Sequence, residues 1–302
     1  MRITNVKVRN RSLEKHNFEA YLFMAPWLAG IIVLGIIPIF SSLYFAFTDY
    51  NMLSMPKWIG FRNFIQMFQD TMFLRSLRVT FTYVFLGVPL SLVMALVVAL
   101  ALVNPFKGVG LLRAIFYLPS LLGGSVAISV LWRLVFTQEG LLNQLLLIFG
   151  IRGRSWIGDP NYAIYTLVLL RMWQFGSPML IFIAGIKQIP DTLYEAADIE
   201  GAGYFRKLFY ITLPLLSPIV LFNGVMGLIG AFQDFTSAYI ISNGGGGPMG
   251  STMFYSLYLY QKAFTSFRMG FASAMAWFLL VIIAFFTVLV FKTSAKRVYY
   301  EN

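Results

Sequence analysis

Apolar positions in this chain come in long unbroken runs, not in helical stripes or strand alternation. Six stretches, about residues 20–47, 80–103, 113–136, 162–186, 213–241 and 270–291, are long enough to cross a bilayer, since a hydrocarbon core needs about 20 apolar residues as a helix. The pattern predicts an all-α polytopic membrane protein with six transmembrane helices, occupying residues 20–302 behind a polar, basic tail over residues 1–19. Pro38, Pro89, Pro119 and Pro178 fall inside the runs. Each frees a backbone carbonyl that lipid cannot satisfy but a neighbouring helix or water can. They mark either simple kinks or irregular helices around a pathway. In "FRNFIQMF", Phe61, Phe64, Ile65 and Phe68 recur at helical spacing, predicting a helix on the membrane surface; "GLLNQLLLIFG" (140–150) has the same character.

One connection is more elaborate. Between the fourth and fifth runs, residues 187–212 include "EAADIEGAGYFRKLFYIT". Thr192 and Glu195 have the spacing of a capping box, predicting a short helix that starts there, and Gly201 and Gly203 are placed to stop it. Phe205, Leu208 and Phe209 then form an apolar face on a second short helix, with Arg206 and Lys207 directed away, before Leu213 and Pro214 return the chain to the membrane. The loop is either a docking element or an amphipathic cover for its own bundle.

Charge orients the spans. Lys and Arg number 13 in the segments that share a side with the two ends of the chain and 8 in the longer loops opposite, which predicts cytoplasmic N- and C-termini. Only 12% of the 302 residues are charged, about half the share of an ordinary soluble domain. The net charge of +11 comes from basic residues flanking the apolar runs, where anionic lipid headgroups accept them, and not from a nucleic-acid-binding patch. Cysteine is absent and the single histidine, His16, lies in the tail, excluding disulfides and thiolate chemistry. No nucleotide-binding P-loop, hydrolase elbow, zinc-protease motif or carboxylate cluster with metal spacing occurs, so the reading is of a non-enzyme with no metal and no cofactor of its own.

The chemistry present is polarity inside the apolar runs. Arg171 lies in the fourth and Asp234 toward the end of the fifth. A charge at that depth costs about 2.5–3.5 kcal/mol on insertion scales and asks for a reason. The two form a structural ion pair, or one or both line a wet cavity. Gln174, Asn223, Gln233 and Tyr239 surround them in sequence; such neutral hydrogen-bonding groups suit a polyhydroxylated solute or simply join helices.

"EAADIEGA…ITLP" resembles the EAA signature of the permease subunits of ABC importers. Glu195, Ala196, Ala197, Gly201, Ala202, Phe209, Ile211, Leu213 and Pro214 match it, with Glu200 where Asp is usual. The likeness to maltose-type sugar permeases extends from about residue 20 to the end, through "FMAPWLAGIIVLGIIPIFSSLYFAFTDY", "FYLPSLLGGSVAISVLWRLVF", "WIGDP", "FQDFTSAYIISNGGGGP" and "FRMGFASAMAWFLL". The resemblance implies a type I importer permease of MetI-like fold in a bacterial inner membrane. It implies a second homologous permease as partner, ATPase subunits that bind ATP and Mg and dock on Glu195, Ala196, Ala197, Gly201, Ala202, Phe205, Phe209, Leu213 and Pro214, and an extracytoplasmic binding protein that delivers a sugar. Gln233 and Asp234 are its first candidates for the sugar path, then Asn223, Tyr239, Gln174 and Arg171. An oligosaccharide is the expected cargo; a monosaccharide, sugar phosphate or uronate is the alternative within the family. An ATPase-independent channel or scaffold is the alternative outside it.

Overall fold

A computed structural model describes residues 11–294, and proline accounts for its first irregularity. Helix α1 (Arg11–Ile31) passes through a π-helical turn, Ile32–Ile36, into α2 (Ile37–Ala46). Pro38 would clash with the carbonyl four residues before it, and widening that turn removes the conflict without ending the helix. The helix thus reaches back into the polar tail as far as Arg11; residues 1–10 of that tail lie outside the described residues.

Beyond a two-residue ladder pairing Thr48 with Trp58 and Asp49 with Lys57, α3 (Arg62–Gln69) forms as the periodicity predicts. Its seat is polar as well as apolar: Asn63 donates to the carbonyls of Ala46 and Thr48, each at 2.9 Å, closing the end of α2. Phe61, Ile65 and Phe68 stay exposed. Helix α4 (Thr71–Leu102) begins well before the expected start near residue 80 because Asp70 caps it, accepting from the amides of Met72 and Phe73. At 32 residues and 1.5 Å per residue it is about 48 Å long, exceeding the hydrocarbon core.

The third expected span is not a single helix. Helix α5 (Val109–Leu122) stops at Gly123 and Gly124, Ser125 caps α6 (Val126–Phe136), and the chain bends there by 100°. Helix α7 (Leu141–Ile148) follows, its Asn143 amide holding the carbonyls of Gln138 and Arg154. The fourth run is broken too, into α8 (Ala163–Trp173) and α9 (Gly176–Ile186) at Gln174 and Phe175.

In the connecting loop, α10 (Asp191–Ile199) starts after Pro190 with no side-chain cap, so Thr192 and Glu195 make no capping box. Helix α11 (Tyr204–Lys207) does not stand apart as the sequence suggested. It runs through a π-helical turn, Leu208–Thr212, into α12 (Leu213–Phe232), giving one rod from Tyr204 to Phe232. Pro214 sits just past that turn, the same relation as at Pro38. The fifth run ends at Phe232, and α13 (Thr236–Ile241) is a separate piece. A glycine-rich loop leads to α14 (Tyr255–Tyr260) and then α15 (Met269–Ser294).

Among the described residues, five helices are long and apolar enough to cross a membrane, or six if the bent pair counts as one span. Helix α4 is the mast of the bundle. Its first half joins a core with α8, the end of α12, α14 and α15, around Phe73, Leu167, Phe232 and Tyr255. Its second half joins another with α9 and the start of α12, where Ala95 and Ala99 let Met179, Phe182 and Leu216 approach closely. By contrast, Tyr21, Leu22, Phe23, Met24, Trp27 and Ile31 are exposed, and none of the most apolar window in the Tyr21–Ala46 stretch is buried.

Candidate functional site

Three helix breaks meet in the middle of the bundle: Gly123–Gly124, Gln174–Phe175 and Gln233–Phe235. Where a span breaks, its free backbone groups must be buried in protein or line a watered space. Here they surround a cavity of about 400 Å³ lined by Tyr83, Gly123, Arg171, Gln174, Gln233 and Asp234, among others. A second cavity, about 340 Å³, lies toward the 187–212 loop, lined by Ser91, Arg171, Gln174, Phe222 and Asn223 with neighbours. Arg171, Gln174 and Ser177 belong to both walls.

The expected pairing of Arg171 with Asp234 is not among the ion pairs of the described residues. Tyr83 stands between them. Its hydroxyl donates to Asp234 Oδ2 at 2.5 Å, and Ser237 donates to Oδ1 at 2.7 Å. The Arg171 guanidinium lies 5.8 Å from the centre of the Tyr83 ring and donates through Nη2 to the Gly227 carbonyl at 2.6 Å. Gln174 donates to the Gly123 carbonyl at 2.9 Å, locking two of the breaks together. A Cβ at Gly123 would stand 2.8 Å from the Gln174 carboxamide carbon, so only glycine leaves room for that contact.

Five of the six path candidates therefore line a cavity: Gln233 and Asp234 the first, Asn223 the second, Gln174 and Arg171 both. Tyr239 lines neither and instead packs against Phe235 and Tyr260, with ring centres 5.2 and 5.9 Å apart. Sequence reasoning missed Tyr83, which looked like one more aromatic of an apolar run, and Ser237, whose D-F-T-S spacing to Asp234 could have flagged it.

The loop presents a different surface. Gly201 has φ +73° and closes α10: its amide donates to the Asp198 carbonyl at 3.0 Å and the Ala202 amide to the Ala197 carbonyl at 2.9 Å. This double bond pattern is a Schellman stop. Gly203 is extended and merely precedes α11. Lys207 turns back to Asp198 at 2.6 Å, and the Tyr194 and Thr212 hydroxyls meet at 2.9 Å. With the loop so braced, Glu195 and Ala196 lie exposed on α10, Ala197 and Ala202 are half-covered, and Leu213 and Pro214 are half-buried at the root of α12. Phe205 and Phe209 remain exposed, as do Ile199 and Tyr210, which the sequence reading had not singled out.

Helices apolar enough to cross a membrane, broken around polar cavities and joined by a loop with exposed aromatic side chains, fit a multi-pass membrane permease. The chain belongs to the family described as binding-protein-dependent transport system inner membrane component, matching it over residues 71–298. It is 49% identical over 296 residues to the probable ABC transporter permease protein YesP of Bacillus subtilis (strain 168), covering 97% of this chain and 96% of that one. It is 31% identical over 288 residues to the lactose transport system permease protein LacF of Rhizobium radiobacter, covering 93% and 96%. The fold matches a chain of a bacterial alginate ABC transporter, crystallised with an alginate pentasaccharide-bound periplasmic protein, at a TM-score of 0.81 and 21% identity over 93% of this chain and 96% of that one. These relatives are permease proteins of transport systems, LacF by its name one for lactose.

Proposed function

We propose that this chain is the transmembrane permease subunit of an ATP-driven importer of an oligosaccharide. The observation that carries the reading is the first cavity, where Gln174, Gln233, Asp234 and Ser237 converge at three helix breaks. Donors and acceptors facing such a space, the Gln174 and Gln233 amides and the Asp234 carboxylate among them, match sugar hydroxyls, and the volume falls in the usual range of small-molecule sites. The names of LacF and of the alginate transporter, both concerned with saccharides, support the same class.

A second permease completes the pathway. The exposed apolar length of the Tyr21–Ala46 stretch supports this, since a span whose most apolar window is unburied has a face to offer a partner. Both termini are cytoplasmic. The 187–212 loop then faces the cytoplasm and inserts Phe205 and Phe209 into an ATPase subunit, which binds ATP and Mg. A binding protein delivers the sugar at the opposite end, beside the glycine-rich loop.

Reconstitution of this chain with its second permease, ATPase and binding protein, and a scan of saccharides for stimulated ATP hydrolysis and uptake, tests the reading. Saccharide-dependent hydrolysis is the expected result. Solute flux through this chain with no ATPase present would overturn it in favour of a channel.

A further inference from the structure

The second cavity differs from the first in its charge. Arg171 is the only ionisable residue in its wall, and no carboxylate lines it. Asp234 faces the first cavity and is already engaged by Tyr83 and Ser237. Arg171 donates to the neutral Gly227 carbonyl and otherwise meets Tyr83, while its Nε is buried without a hydrogen-bond partner. Asn223, 95% buried on the opposing helix α12, has an unpartnered Nδ2. Buried donors are almost always satisfied, and a guanidinium at this depth calls for an anion. Two orphaned donors, one of them cationic, therefore border a space large enough for a sugar ring.

We propose that the loop-side cavity is a station for a uronic sugar, with its carboxylate between Arg171 and Asn223. This rests on the saccharide reading and deepens it: neutral hydroxyls meet the first cavity and the acid group meets the second. Arg171 and Gln174, which face both spaces, hand the substrate from one to the other. Phe222 and Met226 supply the apolar wall against which a ring face can lie.

The chain has no cysteine, so a single introduced thiol reports cleanly. Met226 lines this cavity and not the other, and it is half-exposed. Met226→Cys in the full chain in lipid nanodiscs would be labelled with sulfonatoethyl and with trimethylammonioethyl methanethiosulfonate. The anionic reagent should react several-fold faster. Galacturonate, glucuronate or mannuronate should slow labelling, while galactose, glucose and mannose should not. Arg171→Gln should erase the charge preference, Arg171→Lys should keep it, and Asn223→Leu should keep the preference but lose the protection. Equal labelling by both reagents, or protection by none of the uronates, or equal protection by acid and neutral sugars, overturns the station. Uptake by the assembled importer is read separately. Uptake of a neutral saccharide without uronate protection leaves the permease reading standing and removes the station; uronate protection without saccharide-driven uptake or hydrolysis keeps the station and removes the importer reading.

Discussion

Replacing Gly201 by Val isolates what the loop does. The backbone there has φ +73°, and a Cβ built on it meets nothing within 4 Å, so crowding by neighbours does not enter. What remains is local: a left-handed residue with a side chain costs about 1–2 kcal/mol, most for a β-branched one. That penalty shifts the balance between the stopped and unstopped forms of α10 by a factor of about 5–30. Once the stop yields, the Gly201 and Ala202 amides leave the Asp198 and Ala197 carbonyls, and Lys207 loses its fixed distance to Asp198. Phe205 then no longer stands in a defined place relative to α10. The rest of the bundle buries none of this turn, so membrane level and thermal unfolding should stay near wild type. ATPase pull-down, and stimulation of hydrolysis by loaded binding protein, should fall. Asn tolerates the left-handed region, so Gly201→Asn should recover most of the coupling. Normal coupling by Gly201→Val would refute the reasoning, as would an equal loss in both variants.

Glu195→Ala should leave stability within about 0.5 kcal/mol, because Glu195 is exposed and caps nothing; weakened ATPase pull-down should be its only effect. Gln233→Ala should raise the sugar concentration for half-maximal uptake about fivefold, the loss of one neutral hydrogen bond of about 1 kcal/mol, with complex assembly unchanged. Gly123→Val should push Gln174 away from the break and cost about 1–3 kcal/mol in overpacking, visible as a lowered melting temperature together with altered uptake. Burial alone would raise the Asp70 carboxyl, but the Tyr258 hydroxyl, the Phe73 amide and Lys262 outweigh it and hold it below the ordinary carboxylate value. A depressed folded value means stability present above the ordinary range and lost as pH falls through the folded one. Melting temperature should therefore drop on acidification, and Asp70→Asn should melt lower at neutral pH with a flatter acid limb.

Hydropathy made the bundle legible because lipid-facing and protein-facing helices are equally apolar, and for the same reason it hid the breaks. Residues 113–136 read as one span although Gly-Gly-Ser at 123–125 is a helix stop followed by a cap. Gln233 and Asp234 were read as polar residues within a span; the helix ends just before them, at Phe232, and they line the first cavity. Arg75 and Arg78 masked the true start of α4, which Asp70 announces. In the loop, Gly201 was readable because its role is local backbone geometry. The expected capping box failed because Pro190 had already started α10 before Thr192 could cap it. The Arg171–Asp234 pairing was beyond sequence reasoning: whether two charges meet depends on what stands between them, and Tyr83 is 151 residues from Asp234 in the chain.

The unbroken rod from Tyr204 to Phe232 gives the loop a physical route to the cavities. At 29 residues it is about 44 Å long, with exposed Phe205 and Phe209 near one end and Gln233 at its cap on the other. Asn223 lies along it, and so does Gly227, whose carbonyl holds Arg171. The helix continues through Pro214 and through Pro218 inside α12, so the rod from Tyr204 to Phe232 is unbroken although it carries a π-helical turn at Leu208–Thr212 and an interior proline. A rotation of that rod would reach the Gly227 carbonyl and the break at Gln233. Both contacts are between helices, and each has a partner anchored elsewhere: Arg171 on α8, and Tyr83 on α4 through Asp234. Arg171 belongs to the walls of both cavities, so a rotation started at the loop would reach, through the Gly227 carbonyl, a side chain that the two share.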